Sequence, residues 1–396
     1  MNTRFSDPGV QENFSLVLGG PLYQMYLRSR LLKPPVELVE RRVIASIAVT
    51  WLPLLILTLM AGSALGGVKV PFLLDLDVHI RLLLALPLLI GTEVVVHRRM
   101  SVAVDQFLVR GIIVPNDRAR FDQIIATTMR WRNSAAVEIL LIAYSTSLGY
   151  WIWRQGVSLH VGTWYYATGA IGEHLTAAGW WYAFVSLNLF RFVLLRWYFR
   201  LILWYILLWR ISRLSLRLAA LHPDRAGGIG FLAGSVRAFT PLLVAHTVTV
   251  SGAIANLIWH QGARLPEFQQ EIVGVIVLLM AVVLIPLTFF IGALARSKRE
   301  GTREYEVLAM EYADEFRAKW IRGKPPAEER LIGSGDIQSL ADLGNAFEVV
   351  RGMRLLPLDR QAIVALAVTI ALPFAPLALT MFPVDELITR LMGKIF

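Results

Sequence analysis

Seven stretches of this sequence are too long, too apolar and too poor in charge to dissolve in water. The clearest occupy residues 43–64, 272–293 and 361–382, each close to the ~20 residues with which a helix crosses the hydrocarbon of a bilayer. Hydrocarbon offers no partner to a bare peptide group, so a crossing segment must satisfy its own backbone as a helix. Solvent and fold class follow together: an all-α, polytopic membrane protein whose first partner is the lipid bilayer. Composition agrees, with 56% of residues hydrophobic and 17% charged. The chain has no cysteine, which excludes disulfides, thiolate nucleophiles and zinc–thiolate sites.

The seven spans fall at 43–66, 80–97, 135–153, 180–200, 238–259, 271–294 and 361–382. Lys and Arg are concentrated before the first span, between the second and third, and after the sixth, whereas the alternate loops hold only Lys69, Arg154 and Arg264. Cytoplasmic loops carry the excess of basic residues, which predicts a cytoplasmic N-terminus and a C-terminus on the outer side of the membrane. The same distribution accounts for the net charge of +10 without nucleic acid. Residues 1–42 lack a signal-peptide pattern and are expected to remain as a cytoplasmic or interfacial segment, helical around 14–32.

The rest of the domain order follows from this frame. After the first two spans (43–97), residues 98–134 are expected to form cytoplasmic amphipathic helices broken at 114–116. Residues 135–221 hold the third span, an outer loop and a long fourth helix. No Gly or Pro occurs from 180 to 221, which predicts one helix of ~40 residues, ~60 Å long. Its extension at 201–218 is still rich in Leu, Ile and Trp and needs cover, so a homo-oligomer is expected. A Gly-rich cytoplasmic turn (222–237), the fifth and sixth spans (238–294), a cytoplasmic helical hairpin (295–360, with Asp336 capping its second arm) and a last span with an outer amphipathic tail (361–396) complete the chain.

Ionisable groups inside hydrocarbon cost roughly 3 kcal/mol or more and are candidate sites. At ~1.5 Å of rise per residue, Glu93, Glu138, Arg196 and Arg200 fall in one layer near the cytoplasmic face, which predicts an intramembrane ion-pair cluster. The plainer interpretation is that the pairs neutralise one another and set helix register; the sharper one is an ion path. Arg191 lies deeper, with His246 at a comparable depth. Arg191 points away from Arg196 and Arg200 at ~100° per residue, so the arginines form no voltage-sensing ladder.

In the turn, His222, Asp224, Arg225, Gly227 and Gly228 admit two interpretations. Pro223 and the glycines suit a tight return into the next span, while Arg225 with glycine N–H groups suits a phosphate or lipid headgroup. The pattern is neither a P-loop nor a dinucleotide fingerprint. The segments His222-Pro223-Asp224-Arg225-Ala226-Gly227-Gly228, Asp336-Ile337-Gln338-Ser339-Leu340-Ala341-Asp342-Leu343 and Phe347-Glu348-Val349-Val350-Arg351 resemble a group of uncharacterised bacterial multi-pass membrane proteins. The resemblance implies an inner-membrane location and no assigned activity.

No nucleophile motif appears, the seven histidines are scattered without a metal-binding pair, and neither a cofactor nor a metal is expected. An enzyme is therefore disfavoured. A channel or transporter for an ion or small solute is the first expectation, resting on the buried charges and on prolines within spans. A membrane-embedded sensor, effector or assembly protein acting through its cytoplasmic helices is the alternative.

Overall fold

The computed structural model describes residues 14–34, 36–154, 163–169, 172–323, 331 and 334–381. A short helix, α1 (Pro21–Arg28), precedes the first span, α2 (Val39–Met60). The second span, α3 (Leu76–Val109), is followed by an amphipathic helix, α4 (Arg118–Arg132), and by α5 (Ala135–Arg154). Strands β1 (Tyr166–Gly169) and β2 (Gly172–Leu175) form a small antiparallel hairpin. Then come α6 (Ala177–Ser212), α7 (Gly230–Gln261) and α8 (Leu265–Thr288). Helices α9 (Ile291–Phe316) and α10 (Gly335–Arg351) make a hairpin, and α11 (Arg360–Met381) ends the described chain. Six of these, α2, α3, α6, α7, α8 and α11, are long and apolar enough to cross a membrane. Helix α5, with 20 residues, packs along α6.

Helix α6 is the hub. It touches α2, α3, α4, α5 and α8, and it supplies polar groups where its neighbours lack them. Proline has no N–H, so it leaves the carbonyl four residues earlier without a helical partner. Pro53 frees Val49 O in α2, and Trp181 Nε1 donates to it at 3.0 Å. Pro286 frees Val282 O in α8, and the Tyr205 hydroxyl donates to that. Trp197 Nε1 reaches Leu89 O of α3 at 2.9 Å. Where α7 crosses α3, Gly252 permits the close approach: a Cβ there would sit 3.0 Å from Ile80.

Several boundaries depart from the sequence-based expectation. Helix α6 stops at Ser212 rather than 221, because Leu214–Leu218 runs extended against the turn after α3. The Ser215 N–H donates to Asp117 Oδ2 at 2.8 Å and the Arg217 N–H to Ile112 O at 2.8 Å. Leu214, Leu216 and Leu218 pack on the core while Ser215 and Arg217 are exposed, the two-residue alternation of a strand. Helix α3 continues to Val109, so the expected pair of helices at 101–132 is one extension plus α4. The sixth span ends at Thr288, with a break at Phe289–Phe290 before α9. Within 14–32 only Pro21–Arg28 is helical.

Asp336 is not the N-cap of α10, which is Ser334. Its carboxylate instead accepts from Lys319 Nζ and Trp320 Nε1, both at 2.8 Å, and ties the two arms together. The exposed stretch expected at 201–218 is half covered: Leu201, Leu203, Trp204, Leu207, Leu208 and Ile211 are buried within the chain, whereas Ile202, Ile206 and Trp209 remain exposed. The tail after 382 and His160 lie outside the described residues.

At the arginine-rich end, Phe107 is fully buried and its ring meets Phe121, Phe231 and Phe290 at centroid distances of 6.3, 5.0 and 6.2 Å. It therefore joins α3, α4, the first turn of α7 and the break after α8. Phe107→Ala is expected to cost about 3–5 kcal/mol, seen as a lower thermal midpoint of the purified protein with the same far-UV helix signal.

Candidate functional site: a buried arginine–glutamate network

Four helices converge on one ionic layer. Arg196 and Arg200, four residues apart on α6, share a face. Glu93 of α3 lies opposite them, with Oε1 2.9 Å from Arg200 Nη2 and 3.5 Å from Arg196 Nη1. Glu138 of α5 accepts from Arg196 Nε at 3.1 Å. Arg42 of α2 donates to the other Glu93 oxygen. All five side chains are buried, Arg42 to 2% and Arg200 to 3% exposure. Three guanidiniums face two carboxylates, leaving one positive charge in excess.

The N-terminal segment seals this layer. Phe14, Ser15, Leu16 and Val17 are buried, and the Ser15 hydroxyl, which accepts from the Val17 and Leu18 N–H groups, is hydrogen-bonded to His97 Nδ1 at 3.0 Å. The Ser15 carbonyl accepts from Arg132 Nη1. Burial pushes Arg132 down to about 10, against the opposing pull of Tyr23. Glu138 Oε2 accepts from the Leu22 N–H at 2.8 Å, placing a carboxylate at the first turn of α1, where the helix dipole favours negative charge. Gly20 makes this approach feasible: its φ is +88° and a Cβ would lie 2.6 Å from Glu138 Oε1.

Two small cavities flank the network. One is bordered by Leu22, Tyr26, Arg42, Glu93, Arg196 and Arg200, the other by Gly19, Arg132, Glu138, Arg196 and Arg200. Each measures about 10 Å³, room for about one water molecule. Arg42 Nε and Nη2 are buried without a protein partner among the described residues.

The structure thus brings together Glu93, Glu138, Arg196 and Arg200 as the depth argument expected, and adds Arg42, while Arg132 holds the segment that covers them. Arg42 escaped notice as one of several basic residues ahead of the first span. A signal was present: Arg42, Ser46 and Thr50 recur every four residues and form the buried polar stripe of α2. Arg191 and His246 do not join the network. Arg191 is half-buried near Arg81, itself paired with Asp77 at 2.7 Å. His246 has both ring nitrogens engaged, Nδ1 with Leu242 O at 2.8 Å and Nε2 with the Tyr198 hydroxyl at 2.7 Å, which suits a packing residue.

The glycine-rich turn is organised by its own carboxylate. Asp224 Oδ1 accepts from the Ala226 and Gly228 N–H groups at 2.8 and 3.1 Å, and Oδ2 from Gly230 at 2.9 Å. His222 Nδ1 lies 2.9 Å from Oδ1. The N–H groups expected to cradle an external anion are therefore occupied. Burial alone would raise the Asp224 pKa, but these donors outweigh it and hold it below the ordinary carboxylate range. Arg225 and Gly227 both take positive φ, 51° and 65°, so this stretch is a tightly wound return.

No protein-family model, curated protein or solved structure matches the chain.

The network ranks its members. Glu93→Gln leaves Arg42 and Arg200 without their carboxylate and is expected to destabilise by about 3–5 kcal/mol. Glu138→Gln is milder, because Arg196 keeps Glu93 and the amide oxygen still accepts from Leu22. Thermal unfolding of the two variants in one detergent checks the order. Lowering the pH should loosen the 222–230 turn only below the usual carboxylate range, as Asp224 protonates through its depressed pKa. Limited proteolysis of that turn across pH 3–6 reports it.

Proposed function

We propose that this integral membrane protein is a channel or transporter for a small ion, seen here closed. The observation that carries the reading is the unmatched guanidinium: an excess positive charge is held inside a helical bundle, and the free donors of Arg42 border a water-sized cavity. A buried charge without full compensation is costly, and intramembrane ionisable groups mark ion paths. The segment 14–22 sits over this layer as a plug, held by Glu138, His97 and Arg132. In this reading the plug is cytoplasmic, the N-terminus lying on that side.

A second reading has its own support. Helices α9 and α10 expose Val307, Leu308, Met310, Ile337 and Leu340, an apolar surface suited to a partner chain and to the sensor or assembly alternative.

Flux into sealed proteoliposomes separates them. Wild-type protein should pass chloride, potassium or protons slowly. Gly20→Val drives a side chain into Glu138, unseats the plug and should raise the flux severalfold. Silence of both proteins, each shown to be folded, under all three gradients would leave the assembly reading.

A further inference from the structure

At the arginine-rich end, apart from the ionic network, an open cavity of about 560 Å³ is bounded by the 222–230 turn, the start of α7 and the 352–359 connection. Three arginines border it: Arg225, Arg237 and Arg354. Its acids are committed locally. Asp224 is taken by three backbone N–H groups and His222, and Asp359 accepts the Ala362 N–H at 2.6 Å as the N-cap of α11.

Two of the arginines are not committed. Among the described residues, neither Arg225 nor Arg237 has an ion-pair or side-chain hydrogen-bond partner, and both are exposed. Arg354 is anchored: its N–H donates to Arg225 O and its Nη2 to Asp224 O, each at 2.7 Å. Its Nε is buried and unpartnered. The left-handed φ of Arg225 is fixed by the same contacts, because its N–H donates to His222 O at 3.0 Å while its carbonyl takes Arg354.

The guanidinium fork matches two oxygens of one phosphate and forms strong, charge-assisted bonds with it. The cavity lies within the ~300–1,000 Å³ typical of small-ligand sites and exceeds what a bare phosphate fills. Pro357, Leu358 and Ala233 supply an apolar wall. Arg237, near the start of α7, and Asp359, the N-cap of α11, stand at the beginnings of two membrane spans, a position suited to contact with headgroups.

We propose that this basin binds a phosphate ester through Arg225, Arg237 and Arg354. The ester is either the headgroup of an anionic lipid or a soluble molecule of the same chemistry. The site is independent of the ion path proposed above.

The test uses the full chain in neutral detergent. Native mass spectrometry after incubation with mixed phosphatidylglycerol and phosphatidylcholine reads lipid retention. Thermal shift on titration with glycerol 3-phosphate reads soluble ligand. Arg225→Gln with Arg237→Gln removes two exposed, unpaired guanidiniums and is expected to fold. Arg210→Gln with Arg213→Gln, at a second basic groove of the same end, controls for general charge. Selective retention of phosphatidylglycerol, or saturable stabilisation by glycerol 3-phosphate, should weaken at least about tenfold in the first variant and not in the control. The arm that responds names the source. Absence of both signals in wild-type protein, or equal effects of the two variants, overturns the proposal.

Discussion

Nothing in hydrocarbon substitutes for water, so each polar group inside the bundle must find a protein partner. Helix α6 meets that demand for its neighbours. Its Trp181 and Tyr205 take the carbonyls that Pro53 and Pro286 leave free, and Arg196 and Arg200 take the glutamates of α3 and α5. Each bond lies between different helices and so fixes which faces meet. Apolar contact alone discriminates poorly here, since lipid tails are as apolar as leucine.

The ionic layer goes further than such pairing requires. One carboxylate per guanidinium would satisfy the charges, and a well-packed apolar cluster of similar volume would often be as stable. Three arginines against two glutamates is a costlier arrangement, and an irregular N-terminal segment is wrapped over it. That segment replaces solvent with Gly19 O and the Leu22 N–H, so the layer is closed by backbone groups at and just before the first turn of α1.

How much was legible in the sequence depended on the range of the interaction. Long apolar runs identified the spans, and depth along helices placed Glu93, Glu138, Arg196 and Arg200 together. Boundaries decided by distant partners were not visible. Helix α6 ends where Asp117, almost a hundred residues earlier, takes the Ser215 N–H, although the alternation of Leu214, Leu216 and Leu218 carried a strand signal. Arg42 was hidden among neighbouring basic residues, and only its spacing with Ser46 and Thr50 set it apart. The glycine turn appeared open to an anion because no local rule reveals that Asp224 fills it from within. Arg191 and His246 shared a depth but not a direction, which depth alone does not capture.

The wrapping of residues 14–22 over the layer constrains biogenesis. This segment leaves the ribosome well before its holders, because Arg132, Glu138 and Arg196 are made more than a hundred residues later. It must wait, unseated, while four helices enter the membrane. During that interval Arg42 and Glu93 have only each other, so the bundle acquires its final seal as a late act of assembly, by a segment made well before the groups that hold it.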